Sequence, residues 1–254
     1  MVVTSAWPPY IPPVTSARVH DFLCAGKDHF AADRQVAEQV VVADPATLAM
    51  IDASQSHTRQ ALMDMALSGI TQYVDLGCGL PRLGDRSLHD LAQALSPAAR
   101  VTYVDHDLQV AVTRRAYHRG AQGVSVVDGD LTHPEALLSD PALLASLDMT
   151  RPVGVVCTLT LPYLSDAQVA ALCAALADAL PARSQLVITH PCGARAQAAA
   201  QAYRQGAATY GVQAYASARS QVVLESLVQG WTTTVKAEQV GPLSDLLTAT
   251  ATRA

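Results

Sequence analysis

The sequence predicts a single α/β domain built on a mostly parallel sheet. Three observations carry this. Short Val-rich apolar runs recur through the middle of the chain, longer segments with helical apolar spacing separate them, and the last runs alternate in the manner of a hairpin. Residues 71–76, 100–105, 123–127, 152–158 and 185–189 are the predicted parallel strands. Their near-continuous apolar character fits strands covered on both faces. Helices are expected at 54–68, 87–95, 108–119 and 166–180. In the last of these Val169, Leu172, Cys173, Leu176 and Leu180 mark one buried stripe. Repeated strand–helix–strand units imply right-handed crossovers. Residues 194–215 and 221–229 read as further helices, with 194–230 forming a cover over the site. Residues 231–240 and 246–252 alternate as a closing antiparallel pair, for about seven strands in all. Residues 15–53 form a helical N-terminal cover, and the proline-rich residues 1–14 an extended arm. Residues 15–254 are thus expected to be one domain.

Composition narrows the function classes. The 254 residues are 50% hydrophobic and 15% charged, which suits a folded core and not a disordered chain. A net charge of −5 without basic runs argues against a nucleic-acid groove and favours a small-molecule ligand. Five cysteines, an odd number without a CxxC pair, argue against a disulfide framework or a zinc site, so no metal is expected. A reducing compartment, most simply the cytoplasm, follows. The N-terminus lacks the basic and apolar regions of a signal peptide, and no apolar stretch reaches membrane-spanning length.

The chemistry gathers at Val74-Asp75-Leu76-Gly77-Cys78-Gly79-Leu80-Pro81, where a strand runs into a glycine turn. Gly77 and Gly79 permit positive φ and close approach by a ligand. Asp105 ends the next strand, and adjacent strand ends share one crevice in such sheets. Its carboxylate there can accept both hydroxyls of a ribose. Asp130, after the third strand, can accept from an adenine amino group while the Leu131 amide donates to a ring nitrogen. Asp128 and Asp130 also suit a plain turn cap. A dinucleotide loop needs a third glycine to seat its pyrophosphate, but Arg82 stands there, after a proline that lacks an amide. A ligand carrying an amino acid fits better, which points to S-adenosyl-L-methionine (SAM).

These residues resemble a known family. Residues 74–81 resemble motif I of class I methyltransferases. Residues 17–34, Ala-Arg-Val-His-Asp-Phe-Leu-Cys-Ala-Gly-Lys-Asp-His-Phe-Ala-Ala-Asp-Arg, resemble the N-terminal signature of the bacterial S-adenosyl methyltransferase family often found near secondary-metabolite genes. Tyr103-Val-Asp-His-Asp107, Asp130-Leu-Thr-His-Pro-Glu135 and Arg151-Pro-Val-Gly-Val155 resemble its later blocks in the same order. The resemblance covers roughly residues 16 to 190. It implies a Rossmann-like, SAM-binding sheet of seven strands, with Gly26-Lys27-Asp28 and Asp33 near the cofactor. Lys27 is then positioned to pair with the SAM carboxylate, and Asp75 or Asp28 to hold its ammonium. Thr158, ending the fourth strand, joins the cofactor set. The chain departs from the family at His20 and Phe22, where Tyr is usual, at Cys24-Ala25 in place of Leu-Gly, and at His29 in place of Asn.

Methyl transfer needs alignment above all, and a base only for a protonated acceptor. His20, His29, Tyr163 and His190 are the candidates, His190 being expected just past the fifth strand and facing the crevice. The leading expectation is methyl transfer to a small molecule of secondary metabolism. One alternative is a SAM lyase or cyclase, in which the amino acid attacks its own γ-carbon, releasing methylthioadenosine and a product such as azetidine-2-carboxylate. Another is a SAM-binding protein without catalysis. A homodimer is common for small-molecule methyltransferases of this type.

Overall fold

The computed structural model describes residues 12–82 and 87–253. Ten α-helices and seven strands alternate through these residues. The first three helices are α1 (Ser16–Leu23), α2 (Ala31–Ala43) and α3 (Thr47–Leu67). Then come β1 (Gln72–Leu76), α4 (Leu88–Leu95), β2 (Arg100–Asp105), α5 (Leu108–Tyr117) and β3 (Val124–Asp128). The short helices α6 (Pro134–Leu138) and α7 (Pro141–Ser146) lead to β4 (Gly154–Thr158). After it follow α8 (Asp166–Ala179), β5 (Gln185–Cys192), α9 (Ala194–Thr209), α10 (Gln221–Leu227), β6 (Thr232–Gly241) and β7 (Ser244–Thr252). The sheet order is β3-β2-β1-β4-β5-β7-β6. The first five strands pair in parallel, and β7 runs antiparallel to both β5 and β6.

Alternation along the strands divides the core. Val74 and Leu76 of β1, Val104 of β2, Val155 and Cys157 of β4 and Leu186 and Ile188 of β5 pack on the face that holds Leu172 and Leu176 of α8. The intervening Tyr73, Tyr103, Val156 and Val187 pack on the other face against Leu62 and Met65 of α3. This two-sided burial is why the strands read as continuous apolar runs. Helix starts follow side-chain caps. Ser165 accepts from the Gln168 amide ahead of α8, Ser87 from that of Asp90 ahead of α4, and Asp107 from that of Gln109 ahead of α5. A third cluster joins Val36, Ala37 and Val40 of α2 to Ala199, Tyr203 and Ala207 of α9.

Five elements differ from expectation. Helix α3 begins at Thr47, seven residues before the expected start at Ser54. Its buried face carries Ser54 and Thr58, which break the apolar period but bond to Thr189 Oγ1 (2.7 Å) and Thr158 Oγ1 (2.9 Å). Helix α9 ends at Thr209 and not at Tyr215, because Gly211 takes φ +74° and its amide closes on the Ala208 carbonyl. Helices α6 and α7 lie in a stretch with no expected element. Strand β5 continues to Cys192, with consequences for His190 below. The N-terminal arm through residue 11 lies outside the described residues.

Candidate active site

A cavity of about 460 Å³ opens at the C-terminal ends of β1, β2 and β4, where an open α/β sheet binds ligands. Asp75, Gly77, Cys78 and Gly79 line it from β1 and its turn, and Asp105 lines it from β2. Asp130, Leu131 and Thr132 come from beyond β3, and Thr158, Leu159 and Thr160 from β4. Helix α3 adds Gln55, Thr58 and Arg59, while α1 adds Ser16, Ala17, His20 and Asp21, and Cys24 follows at its C-terminal end.

The glycine turn is held from several directions. The amides of Gly77 and Cys78 donate to the Val104 carbonyl at 2.8 and 3.1 Å. Arg114 of α5, nearly buried, donates Nε to the Gly79 carbonyl (2.6 Å) and Nη2 to that of Cys78, with its guanidinium 4.3 Å from the Tyr103 ring centre. Asp105 accepts the Gly79 amide on Oδ2 (2.9 Å) and the Asp107 amide on Oδ1 (3.0 Å). The two glycines have different tasks. A Cβ on Gly77 (φ +69°) would lie 2.3 Å from Thr160 Cγ2. One on Gly79 (φ +60°) would meet nothing within 4 Å, so the space beside Gly79 is open to a ligand. Thr160 Oγ1 donates to the Leu76 carbonyl at 2.8 Å, tying the end of β4 to that of β1. Leu159 is held in the left-handed region (φ +52°), its amide donating to the backbone oxygen and Oγ1 of Thr189. Strain of this kind costs on the order of 1 kcal/mol and is stored where the surroundings impose it.

Several groups titrate away from their ordinary range. Burial pushes the Asp75 carboxyl up to about 6; Asp105 adds to the rise and Arg114 opposes it. His20 is driven down to about 4 by burial and then by the Arg82 guanidinium. Burial raises the Tyr163 phenol to about 12 and lifts the Cys78 thiol as well. At neutral pH the cavity therefore holds a neutral imidazole and a protonated phenol.

Of the expected site residues, Asp75, Gly77, Gly79, Asp105, Asp130, Leu131, Thr158, His20 and Tyr163 all line this one cavity. Asp130 also caps its turn: Oδ1 accepts from the Thr132 amide and hydroxyl, and Oδ2 faces His133 Nδ1 at 3.1 Å. Five expectations are corrected. His190 lies inside β5, opposite Leu247 of β7, fully buried and outside the cavity lining. Its Nε2 accepts the Arg219 amide at 3.1 Å, and burial drives the ring down to about 3. Lys27 is exposed and outside the lining. His29 also stands behind the wall, with Nδ1 2.9 Å from Asp21 Oδ2. Asp33, expected near the cofactor, is instead a buried partner of Arg18 at 2.8 Å, and Asp28 is exposed outside the lining. Asp21, Gln55, Thr58, Arg59, Arg114 and Thr160 were not legible as site residues. Only Asp21 carried a signal, since it falls within the family-like segment 17–34.

The lining suits SAM and not a dinucleotide. It offers Asp105 and Asp130 at the ends of β2 and β3 for an adenosine, and open space at Gly79. At the third-glycine position Arg82 turns to the Cys24 carbonyl (3.3 Å). Strand order, glycine turn and strand-end carboxylate together define a Rossmann-like class I methyltransferase fold. The chain belongs to the S-adenosyl methyltransferase family, whose model matches residues 12–235. S-adenosyl-L-methionine is the cofactor of that family.

Solved structures agree. A candidate methyltransferase from Thermobifida fusca YX is 28% identical with a TM-score of 0.84, covering 98% of this chain and 100% of its own. A DUF574 family protein from Streptomyces avermitilis MA-4680 is 24% identical with a TM-score of 0.81, covering 95% and 98%. The magnesium protoporphyrin IX methyltransferase of Synechocystis PCC 6803, solved with S-adenosylhomocysteine, shares the fold at 13% identity and a TM-score of 0.50, with 93% of each chain covered. No match was found among curated proteins. Among the described residues no helix is long and apolar enough to cross a membrane.

Proposed function

We propose that this protein transfers the methyl group of SAM to a small molecule that enters beneath the α1 cover. The observation that carries this is the cover itself. Ser16, Ala17, His20 and Asp21 of α1, with Cys24 at its C-terminal end, line the same cavity as Asp75 and Asp105, whose volume of about 460 Å³ suits a small molecule. When bound, SAM supplies an electrophilic methyl on a sulfonium. The chain's residues align the acceptor, exclude water and hold charge.

The residues beside the cover also narrow the acceptor. His20 is too weak a base, at about 4, to take a proton from an alcohol or an ammonium, and Tyr163 stays a phenol at neutral pH. Both act as neutral hydrogen-bonding groups. An acceptor nucleophilic without their help fits this set: a free amine, a thiolate or a carboxylate. The family-like segment 17–34 supports a place in secondary metabolism, and a net charge of −5 supports a small acceptor over a nucleic acid.

Purified protein is incubated with SAM, alone and with amine, thiol and carboxylate metabolites, and all products are identified by mass spectrometry. Acceptor-dependent S-adenosylhomocysteine with a product 14 mass units heavier is expected (one added CH₂). Methylthioadenosine formed from SAM alone would overturn the proposal in favour of intramolecular attack on the γ-carbon. Tight binding without turnover across the panel would favour a non-catalytic role.

A further inference from the structure

The two ends of the sheet, β3 and β6, each pair on one side alone among the described residues. They are finished differently. Strand β3 is five residues long, and Arg115 of α5 binds its Val126 carbonyl at 3.4 Å and its Asp128 carboxylate at 2.9 Å. Strand β6 is ten residues long. Its residues Lys236, Ala237, Glu238 and Gln239 are exposed in succession, so this stretch is open on both faces of the sheet. Gln221 of α10 reaches the backbone just ahead of it, Nε2 donating to the Val235 carbonyl at 3.4 Å. An open edge of this length offers its outward N–H and C=O groups to a further strand.

The side chains of the edge specify which strand. Lys236 and Glu238 share one face by alternation, the face of α3, where both act electrostatically on His57. Neither is in an ion pair among the described residues. Outward backbone groups belong to alternate residues. When an antiparallel edge pairs with its own copy, the two-fold axis therefore passes through a residue position. An axis at Lys236 or at Glu238 sets like charges opposite each other. One at Gln239 runs the ladder into the irregularity between Gln239 and Gly241. An axis at Ala237 sets Lys236 opposite the partner's Glu238 and Glu238 opposite the partner's Lys236, all on one face and within the regular ladder. A lone lysine deters edge pairing, whereas a glutamate two residues on makes this edge its own complement.

We propose that β6 pairs with β6 of a second copy of this chain, antiparallel and centred on Ala237, joining two seven-stranded sheets into one. The pairing is isologous, so both ion pairs form together. It lies apart from the cavity, whose lining includes neither Lys236 nor Glu238, and does not depend on what the cavity binds. A contact centred on one strand falls at the small end of stable interfaces, roughly 1,200 Å². A reversible dimer with a Kd on the order of 10 μM is therefore expected.

Sedimentation equilibrium of the full chain tests this, over roughly 1 to 100 μM, a range that brackets the expected Kd. Wild type should pass from monomer to dimer across it. Lys236→Glu and Glu238→Lys each turn two attractive pairs into two repulsive ones, and should weaken the dimer about 10-fold or more. Combining Lys236→Glu with Glu238→Lys restores the complement and should bring the dimer back within about 3-fold of wild type. Damage to the fold would not be repaired by adding the second substitution. Hydrogen exchange locates the contact: amides of residues 235–239 should exchange more slowly at high than at low concentration in wild type, and not in the single variants. A wild-type chain that stays monomeric throughout would overturn the proposal. So would a dimer indifferent to the single substitutions, or one that the paired substitutions fail to restore. A dimer whose 235–239 amides stay unprotected uses another face and would overturn it as well.

Discussion

Gly77 and Gly79 sit two residues apart in one turn, yet alanine should affect them through different physics. Both have positive φ, so each alanine variant carries left-handed strain of about 1–2 kcal/mol. At Gly77 the new methyl would also lie 2.3 Å from Thr160 Cγ2 and 2.9 Å from its Oγ1. Thr160 must move, which loosens its 2.8 Å bond to the Leu76 carbonyl at the buried junction of β1 and β4. Overpacking of this kind adds about 1–3 kcal/mol. Gly77→Ala should therefore lose about 2–5 kcal/mol without ligand, against about 1–2 kcal/mol for Gly79→Ala, where the methyl meets no protein atom. The order reverses for the ligand. The Gly79 methyl projects into the cavity and should weaken S-adenosylhomocysteine at least about 10-fold beyond any loss of stability. Urea unfolding of the ligand-free variants, followed by calorimetric titration, gives both numbers. Equal stability losses, or a Gly79→Ala variant with wild-type affinity, would refute the division of labour.

Further expectations follow from the same wall. Asp75, raised to about 6, binds its proton more tightly in the folded than in the unfolded chain. Stability should thus fall as pH rises from about 4 to 6 and stay level above that. Asp75→Asn should remove up to about 3 kcal/mol of this penalty at pH 8 and have little effect below pH 4, as paired urea titrations would show. Arg114→Met strands two carbonyls of the turn, and should cost about 2–4 kcal/mol and weaken S-adenosylhomocysteine in the same titration. His190→Asn should lose about 1–3 kcal/mol while leaving that affinity within about 2-fold, since His190 bonds Arg219 and does not line the cavity. A larger change in affinity would restore His190 to the site.

The parts of the site set by local sequence were the legible ones. Gly77 and Gly79 announce a turn because few other residues adopt its φ, and Asp105 and Asp130 follow Val-rich runs whose ends the sheet must align. The parts set by tertiary packing were not. His190 was misplaced because the parallel ladder with β4 stops at Thr189, whereas the antiparallel partner β7 carries β5 on through Cys192. Nothing within residues 185–192 records that second partner. The early start of α3 was hidden by Ser54 and Thr58, polar groups whose burial makes sense only beside Thr189 and Thr158. Lys27 drew attention because the family resemblance places Gly26-Lys27-Asp28 near the cofactor, while Arg59 sat in an ordinary helical pattern. Their positions separate only in the fold, where Arg59 lines the cavity and Lys27 does not.

The central claim is that this cavity holds SAM. Titrating the purified chain with S-adenosylhomocysteine and with NADH tests it directly. The account predicts saturable one-to-one binding of S-adenosylhomocysteine, abolished or strongly weakened in Gly79→Ala and Asp105→Asn, and none of NADH. Binding of NADH without S-adenosylhomocysteine would contradict it.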